Sequence, residues 1–401
     1  MTNNLRPGAL FATALGAITL IGPLSIHLFL PVMPAVKTAF AISDALAELT
    51  FSVTLFTMAI VTLFYGSLSD RYGRRPVLLG GLALFIIGSA LSAFALSVAM
   101  LIAGRVIQAI GAGCGLTLSR AIARDAYGPE ALVKAIAYLT MAYTIGPLIA
   151  PTFGGVLMDI FGWRAAFWFA LLSGIGILIV SYVALFETRH RSGAPARQAP
   201  VLAQYASLLG SARFVAYALQ PGAMSFGFFA IAAASPLLTK DLLGMGGVAY
   251  GLYFMMFPIG YTSGNWISVR LSGRVPVDTM VLLGSILAFL IFVGQAALIL
   301  AGNLSPLLIF LPGGLVSFAQ GISMPNAQAG AMRIEPTLAG TAAGLGVFMQ
   351  MFLPALSSEL FGILSDGTAL PMIELTMIGA TVALGAAIAS YIFGRRTVVP
   401  A

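Results

Sequence analysis

Long apolar stretches, separated by short polar segments, run along the whole chain of 401 residues. Each stretch has roughly the 20 residues that an α-helix needs to cross the hydrocarbon core of a bilayer. The pattern therefore predicts an all-α membrane protein with about twelve membrane-spanning helices. Their approximate ranges are 9–34, 46–67, 76–95, 98–121, 132–157, 163–186, 213–236, 246–269, 277–300, 305–331, 338–361 and 370–393.

A long polar interval and an internal repeat divide these helices into two sets. The interval begins at Glu187 and predicts a cytoplasmic linker over 187–212, between six-helix bundles at 1–186 and 213–401. The string Gly73-Arg-Arg-Pro-Val77 returns 200 residues later as Gly273-Arg-Val-Pro-Val277. Both copies follow the second helix of a half, which is typical of transporters built from two parallel repeats.

The composition supports this architecture and gives it an orientation. Only 8% of the residues are charged, whereas a soluble domain carries about 25%. The net charge of +7 does not indicate nucleic acid, because the basic residues are scattered between apolar spans. With both termini in the cytoplasm, sixteen of the 20 Lys and Arg residues fall on the inner side and three on the outer side. We therefore expect a multi-pass protein of the cell inner membrane with cytoplasmic termini.

The most strongly charged turn, residues 66–77, lies between the second and third spans. Gly73 gives a short turn its backbone freedom, and Asp70 is placed to accept from Arg74 or from a helix N-terminus. The turn resembles the signature loop of the major facilitator superfamily. That resemblance implies the major facilitator fold, with two six-helix bundles and alternating access. It also implies a conformation-sensitive gating loop, formed by Gly66, Asp70, Arg71, Gly73, Arg74 and Arg75.

The fourth span carries one cation away from its ends, Arg105, with Gln108 one helical turn further on the same face. An arginine at membrane depth costs about 2.5–3.5 kcal/mol on insertion scales, so we expect it to face a wet cavity or a partner. The alternative is an arginine that extends to a nearby interface. The string from Arg105 to Gly113 resembles the fourth-helix motif of drug exporters in the same superfamily. In those proteins the arginine is linked to proton coupling.

The fifth span carries small residues at every fourth position, which let another backbone approach closely. Prolines on a neighbouring face each remove a helix hydrogen bond. The alternative is a generic kinked membrane helix. The spacing resembles the antiporter motif of drug/proton exchangers, and therefore suggests export. The motif residues are Gly146, Pro147, Ala150, Pro151, Gly154 and Gly155.

The first span contains a single histidine, His27, which is an ionisable group in an apolar helix and titrates near physiological pH, and it is therefore a candidate coupling residue. The alternative role is a structural histidine held by one hydrogen bond. The segment resembles the first helix of the Bcr/CflA drug exporters, with His27 and Phe29 where that subfamily has aspartate and tyrosine. A similar resemblance in the tenth and eleventh helices makes Asn326 and Gln350 candidate polar groups of the substrate cavity, together with His27, Arg105 and Gln108.

The other charged residues suggest little chemistry. Asp44, Glu48 and Asp159 fall at outer helix ends, where we expect them to be solvated, and Glu359 lies somewhat deeper but near enough to the outer surface for solvation to be expected there too. No phosphate-binding glycine loop precedes a lysine, no catalytic constellation is visible and no metal-ligand cluster can be argued. We expect neither catalytic residues nor a metal or organic cofactor, and the proton gradient is the expected source of energy.

These observations favour proton-coupled efflux of small amphipathic drugs, of the phenicol or bicyclomycin type that the subfamily implies. The expected partners are a drug, protons and the lipid bilayer, and the resemblance implies a monomer. A second hypothesis keeps the fold but assigns it uptake or facilitated diffusion of an anionic metabolite, attracted by His27 and Arg105. A third is a non-transporting membrane receptor or assembly partner.

Overall fold

The computed structural model describes residues 8–189, 201–241, 243–335 and 338–396, and the regular structure in these ranges is helical. The helices are α1 (Ala9–Thr19), α2 (Ile21–His27), α3 (Met33–Phe40), α4 (Asp44–Tyr72), α5 (Arg74–Ala93), α6 (Val98–Ala112), α7 (Cys114–Phe161), α8 (Arg164–Ala184), α9 (Val201–Leu209), α10 (Ala212–Asp241), α11 (Gly247–Phe254), α12 (Met256–Leu271), α13 (Val277–Leu300), α14 (Pro306–Ile334), α15 (Ala339–Leu364) and α16 (Leu370–Arg396).

Eleven helical stretches within the described residues are long and apolar enough to cross a membrane. This finding confirms the prediction of an all-α membrane protein. The predicted span at 246–269 is missing from the eleven because a turn at Met255 divides it into α11 and α12, which are both short. The helix boundaries therefore differ from the predicted pattern at this point, although the apolar segment is where the sequence places it.

The first span is interrupted near its middle. Helix α2 ends at His27, a 3₁₀ turn covers Leu30–Val32, and α3 begins at Met33. Pro31 lies at the start of the 3₁₀ turn and Pro34 at the start of α3. Because proline lacks a backbone N–H, it is tolerated at the first turn of a helix but interrupts the hydrogen bonding of a longer one. The two prolines thus account for the short helical pieces.

The fourth and fifth spans differ from their predicted ranges. Helix α6 ends at Ala112, and α7 begins after Gly113 and continues to Phe161. The segment between the predicted spans, at 122–131, is therefore helical, and the predicted loop there is wrong. Local composition suggested a loop because this segment contains charges, Gly128 and Pro129.

The chain forms two compact units. The first comprises Met1–Ile42, Val53–Ala194 and Gly246–Gly251, and the second comprises Ser43–Ser52, Pro195–Met245 and Leu252–Ala401. Residues 190–200 of the predicted linker at 187–212 lie outside the described residues. Of the remainder, Val201–Leu209 is helix α9.

Glycines determine how closely α5 and α6 pack in the first unit. A Cβ atom added at Gly88 would meet the backbone nitrogen of Gln108, and one at Gly111 would meet the backbone nitrogen of Phe85. The two backbones are therefore in direct contact, which only small residues permit. This contact fixes the position of the face of α6 that carries Arg105 and Gln108.

The second unit has a core where α10, α13, α14, α15 and α16 meet. Its centre includes the fully buried Phe214 of α10, Val281 of α13 and Ala387 of α16. Tyr217 also belongs to this cluster and directs its hydroxyl to Asp278, at the start of α13. The core therefore continues into a polar contact at one end of the unit.

Candidate substrate and coupling site

Arg105 connects α6 to the interrupted first span. Its side chain is buried, with 1% exposed, and Nη1 donates to the backbone oxygen of Ser25 at 2.9 Å. Ser25 lies in the last turn of α2, where carbonyl groups lack the usual intrahelical donors. The interruption after His27 therefore provides an acceptor for the buried guanidinium. This burial excludes the alternative in which Arg105 extends to an interface.

Gln108 joins three helices around this cation. Its Oε1 accepts from Arg105 Nη1 at 2.7 Å and from the Ser25 hydroxyl at 3.4 Å, and its Nε2 donates to Ser89 Oγ at 2.9 Å. Ser89 in turn donates to the backbone oxygen of Phe85. The structure thus brings Arg105 and Gln108 together in a network that spans α2, α5 and α6. Ser25 and Ser89 are members that sequence reasoning missed.

Two aromatic rings cover the guanidinium group. The Cζ atom of Arg105 lies 4.5 Å from the ring centroid of Phe29 and 5.9 Å from that of Phe167. A cation over an aromatic face gains about 0.5–2 kcal/mol, with the larger values where water is excluded. The rings therefore offset part of the cost of burying the charge.

His27 is half-buried at the end of α2. Arg105 contacts the residue two positions before it, Ser25, and the residue two positions after it, Phe29. His27 therefore lies on a short segment that Arg105 holds from both sides. The structure thus links the two residues that the sequence analysis singled out for coupling through the backbone of the first span.

Asn326 and Gln350 belong to the second compact unit, whereas His27, Arg105 and Gln108 belong to the first. Asn326 Nδ2 donates to Ser268 Oγ at 2.7 Å and to the backbone oxygen of its own helix at Ile322. This amide therefore fastens α14 to α12. Gln350 is half-buried on α15, and its Nε2 has no hydrogen-bond partner among the described residues.

The gating loop is organised around Arg74. Gly73 has a φ of 105°, a conformation that residues with a side chain rarely adopt. Arg74 is buried and forms ion pairs with Asp70 through Nη2 at 2.6 Å and with Asp125 through Nε at 2.9 Å. Asp70 is thus a partner of Arg74, one of the two contacts that the sequence allowed. Asp125, which follows the predicted fourth span, was missed.

Glu187 caps the helix that follows the loop. Its two carboxylate oxygens accept from the backbone nitrogens of Arg74 at 3.0 Å and Arg75 at 3.1 Å. A carboxylate at a helix N-terminus satisfies orphan donors and interacts favourably with the helix dipole. The Arg75 guanidinium also donates to the backbone oxygen of Tyr182, near the end of α8. The loop is therefore fixed to the segment that closes the sixth span.

The small-residue stripe of the fifth span lies against the first span. A Cβ atom at Gly146 would meet Pro23, and one at Gly154 would meet the backbone oxygen of Leu28 and the ring of Pro31. Ala150, between them, is 3% exposed. The stripe thus packs directly on the interrupted segment that carries His27. The small side chains are required by this contact.

Gly155 faces a different neighbour, the start of α11. A Cβ atom there would meet the backbone oxygen of Gly247. One turn further along α7, the Asp159 carboxylate accepts from the backbone nitrogens of Gly247 at 3.3 Å and Val248 at 3.2 Å. Asp159 therefore caps α11, as Glu187 caps α5. Sequence reasoning had assigned Asp159 only to a solvated helix end.

The second copy of the loop shares a backbone feature with the first but not its ion pairs. Gly273 has a φ of 79°. The cation near it, Arg270, stacks on the Trp266 ring at 4.1 Å. A separate ion pair joins Arg213 to Asp278 at 3.4 Å, beside a cavity of about 590 Å³ that none of the predicted cavity residues lines. The two copies therefore hold their helices by different contacts.

The long apolar helices are those of a multi-pass membrane protein. The chain belongs to the Major Facilitator Superfamily, whose family model matches residues 15–358. The resemblance seen in the sequence motifs is thereby confirmed. The members of this family are transporters, and the chain is accordingly a transporter rather than an enzyme.

Two curated relatives match along most of the chain. The uncharacterised MFS-type transporter YdgK of Bacillus subtilis (strain 168) is 28% identical over 378 residues, or 92% of each chain. Multidrug resistance protein D of Escherichia coli (strain K12) is 28% identical over 330 residues, or 81% of each chain. Among solved structures, the D-xylose-proton symporter shares the fold with a TM-score of 0.78 at 14% identity, covering 96% of this chain and 97% of its own.

Proposed function

We propose that this transporter exports small amphipathic drugs in exchange for protons. The relative named for multidrug resistance and the antiporter-like stripe of the fifth span support this direction and substrate class. The substrates that we propose are of the phenicol or bicyclomycin type. The proton gradient supplies the energy, and no cofactor takes part.

The observation that carries the proposal is the burial of Arg105 beside the interrupted first span. A permanent charge held inside a membrane protein is costly and usually functional. Its hydrogen bonds to Ser25 and Gln108 are charge-assisted and worth about 1.5–3 kcal/mol each. Arg105 contacts Ser25 and Phe29, on either side of His27, so that a substrate or proton that changes the charge near His27 also changes the hydrogen bonds of Arg105. We assign coupling and the substrate cavity to the same set of residues, with His27 and Arg105 as the coupling candidates. The set is His27, Arg105, Gln108, Asn326 and Gln350.

The gating elements that we propose are the loop at Arg74 and the fifth-span stripe. The loop includes Gly66, Asp70, Arg71, Gly73, Arg74 and Arg75, and the stripe includes Gly146, Pro147, Ala150, Pro151, Gly154 and Gly155. Alternating access requires bundles that move as rigid bodies between packed arrangements. Helix caps and close packing at glycines suit this role, because each such contact is formed or lost as a unit.

We place the protein in the cell inner membrane as a monomer with both termini in the cytoplasm. The excess of Lys and Arg on one side of the predicted spans supports this orientation. Under this orientation, the Arg74 loop lies in the cytoplasm and Asp159 near the outer surface.

The test begins in a host that lacks its major efflux pumps. Expression of the chain is expected to raise resistance to chloramphenicol or bicyclomycin. In everted vesicles, addition of chloramphenicol is expected to release protons, and His27→Ala is expected to abolish this release. Leu24→Ala, at another half-buried position of α2, is the matched control and should retain it.

The vesicle experiment also separates the other hypotheses. Uptake of an anionic metabolite, attracted by the cationic Arg105, predicts inward flux of an organic anion and no drug resistance. A receptor or assembly partner predicts no flux of either compound. Proton release that is unchanged in His27→Ala would remove His27 from the coupling mechanism.

A further inference from the structure

A line of polar residues on α4 faces polar residues of α15 within the second compact unit. Asp44, Glu48 and Ser52 are spaced four residues apart and therefore share one face of α4. Three hydroxyl groups, from α4, α15 and the residue after α15, donate to the two carboxylates of this face and to one carboxylate of α15. These are Ser358 to Glu48 at 2.6 Å, Ser52 to Glu359 at 2.6 Å, and Ser365 to Asp44 at 2.8 Å.

Glu48 is fully buried, which corrects the expectation that it is solvated. Its exposed fraction is 0%, and its Oε1 has no hydrogen-bond partner among the described residues. Gly362 permits this burial, because a Cβ atom at that position would lie 2.6 Å from the Glu48 Cβ. The aliphatic part of the Glu48 side chain therefore packs closely against α15 at Gly362.

The charges around Glu48 are negative. Two titratable groups among the described residues are close enough to interact electrostatically with Glu48. They are Glu359 on α15 and Asp44, which lies on α4 together with Glu48. Within the described residues, no Lys or Arg nitrogen lies within 4.0 Å of Glu48 or Glu359. A buried carboxylate without a cationic partner is strongly unfavourable, and such a group is normally neutral. The unsatisfied Oε1 is the atom on which a proton restores neutrality.

We propose that Glu48 and Glu359 form a proton-binding site, in which a proton taken from water forms an O–H bond at Glu48 and is later returned to water. Glu359 is half-buried and accepts from Ser52, one turn beyond Glu48 on α4, and it is the group through which we route exchange of the proton with solvent. The role of the site in transport rests on the proposed exchange of drug for protons, whereas proton binding itself does not.

The first test detects the bound proton without a drug. The full-length protein, purified and placed in lipid nanodiscs, is titrated with pH while its infrared spectrum is recorded in H₂O and D₂O. The wild type is expected to show the carbonyl band of a buried carboxylic acid, and Glu48→Gln is expected to lose it. Glu374→Gln, at an exposed position of α16, is the control and should keep it. A band that is unchanged in Glu48→Gln overturns the proposal.

A second variant keeps Glu48 in place. Glu359→Gln removes the negative neighbour without removing the buried carboxyl, so the band is expected to disappear at a pH about one unit lower than in the wild type. This shift distinguishes a proton shared with Glu359 from a glutamic acid that only fills space. The absence of a shift would overturn the paired site, even where Glu48→Gln fails to fold.

The third test connects the site to transport. In proteoliposomes, Glu48→Gln is expected to abolish chloramphenicol-driven proton release while retaining downhill chloramphenicol flux. Wild-type protein that moves neither drug nor protons would contradict the proposed function but leave the infrared result intact. If the wild type exchanges chloramphenicol for protons and Glu48→Gln releases protons to the same extent, the role of this site in transport is contradicted.

Discussion

Arg74 and Asp125 form an ion pair whose atoms are almost withdrawn from solvent. Arg74 Nε lies 2.9 Å from Asp125 Oδ2, and the two side chains are 6% and 12% exposed. Asp70 lies even closer to Arg74, at 2.6 Å, but its side chain is 64% exposed. Exposed pairs contribute about 0–1 kcal/mol, whereas removing one partner of a buried pair costs about 3–5 kcal/mol. Asp125 is thus the main structural partner of Arg74.

This difference predicts that Asp125→Asn destabilises the protein more than Asp70→Asn. We expect a loss of about 3–5 kcal/mol for the first and less than about 1 kcal/mol for the second. The measurement is the Tm of each purified variant in the same detergent. Equal Tm values for the two variants would contradict the assignment, because the geometry of the two pairs is similar and only their exposure differs.

Glu187 is predicted to stabilise the start of α5. Glu187→Ala removes the acceptor of two backbone N–H groups, and loss of a helix cap costs about 0.5–2 kcal/mol. We expect a lower Tm and faster hydrogen exchange at the amides of Arg74 and Arg75. Glu374→Ala, at an exposed position, controls for the loss of a charge. Protection at Arg74 and Arg75 that matches the wild type would show that the cap is dispensable.

Gly154 is predicted to tolerate no side chain. In Gly154→Ala, the new methyl group would lie 2.5 Å from the Leu28 backbone oxygen, and overpacking of this kind costs about 1–3 kcal/mol. We expect reduced chloramphenicol efflux and a lower Tm. Gly176→Ala, on α8, is the matched control, because a Cβ atom added there would meet no neighbouring atom of the described residues within 4 Å. There, alanine is expected to raise helix stability by about 0.5–1 kcal/mol.

Arg105→Lys is predicted to impair transport although the charge is kept. Lysine cannot reproduce both the hydrogen bonds of Nη1 and the stacking on Phe29, and loss of about 1.4 kcal/mol corresponds to a tenfold effect. We therefore expect at least a roughly tenfold lower initial rate of chloramphenicol efflux. Arg333→Lys, on an exposed residue, is the control. Rates that fall equally in both variants would indicate a general effect on folding.

The spacing of residues along one helix predicted some features well. Arg105 and Gln108 lie one turn apart, and this periodicity alone places them on one face. The apolar runs likewise predicted where the spans lie. Both signals are local, because they depend on the geometry of a single helix. The helical segment between the fourth and fifth spans was missed, since tertiary context overrides weak local loop signals.

Contacts between distant segments were the features that the sequence did not reveal. Asp125 lies 51 residues from Arg74, and Glu187 lies 113 residues from it. Such pairs depend on which helix faces meet, and no local pattern encodes that choice. The burial of Glu48 did leave a signal, because Asp44, Glu48 and Ser52 form a polar stripe at four-residue spacing in an apolar helix. A stripe of this kind indicates a polar partner on a facing helix.

The placement of Arg105 also bears on how the protein is made. Chains emerge from the ribosome N-terminus first. Ser25, which accepts from Arg105, lies 80 residues earlier, so the first span is synthesised before α6. It can therefore receive the guanidinium during insertion and offset part of the cost of about 2.5–3.5 kcal/mol. Phe167, the more distant of the two rings that cover the guanidinium, is synthesised after both Ser25 and Arg105. The order of these residues along the chain thus allows the acceptor of the Arg105 guanidinium to be in the membrane before Arg105 enters it.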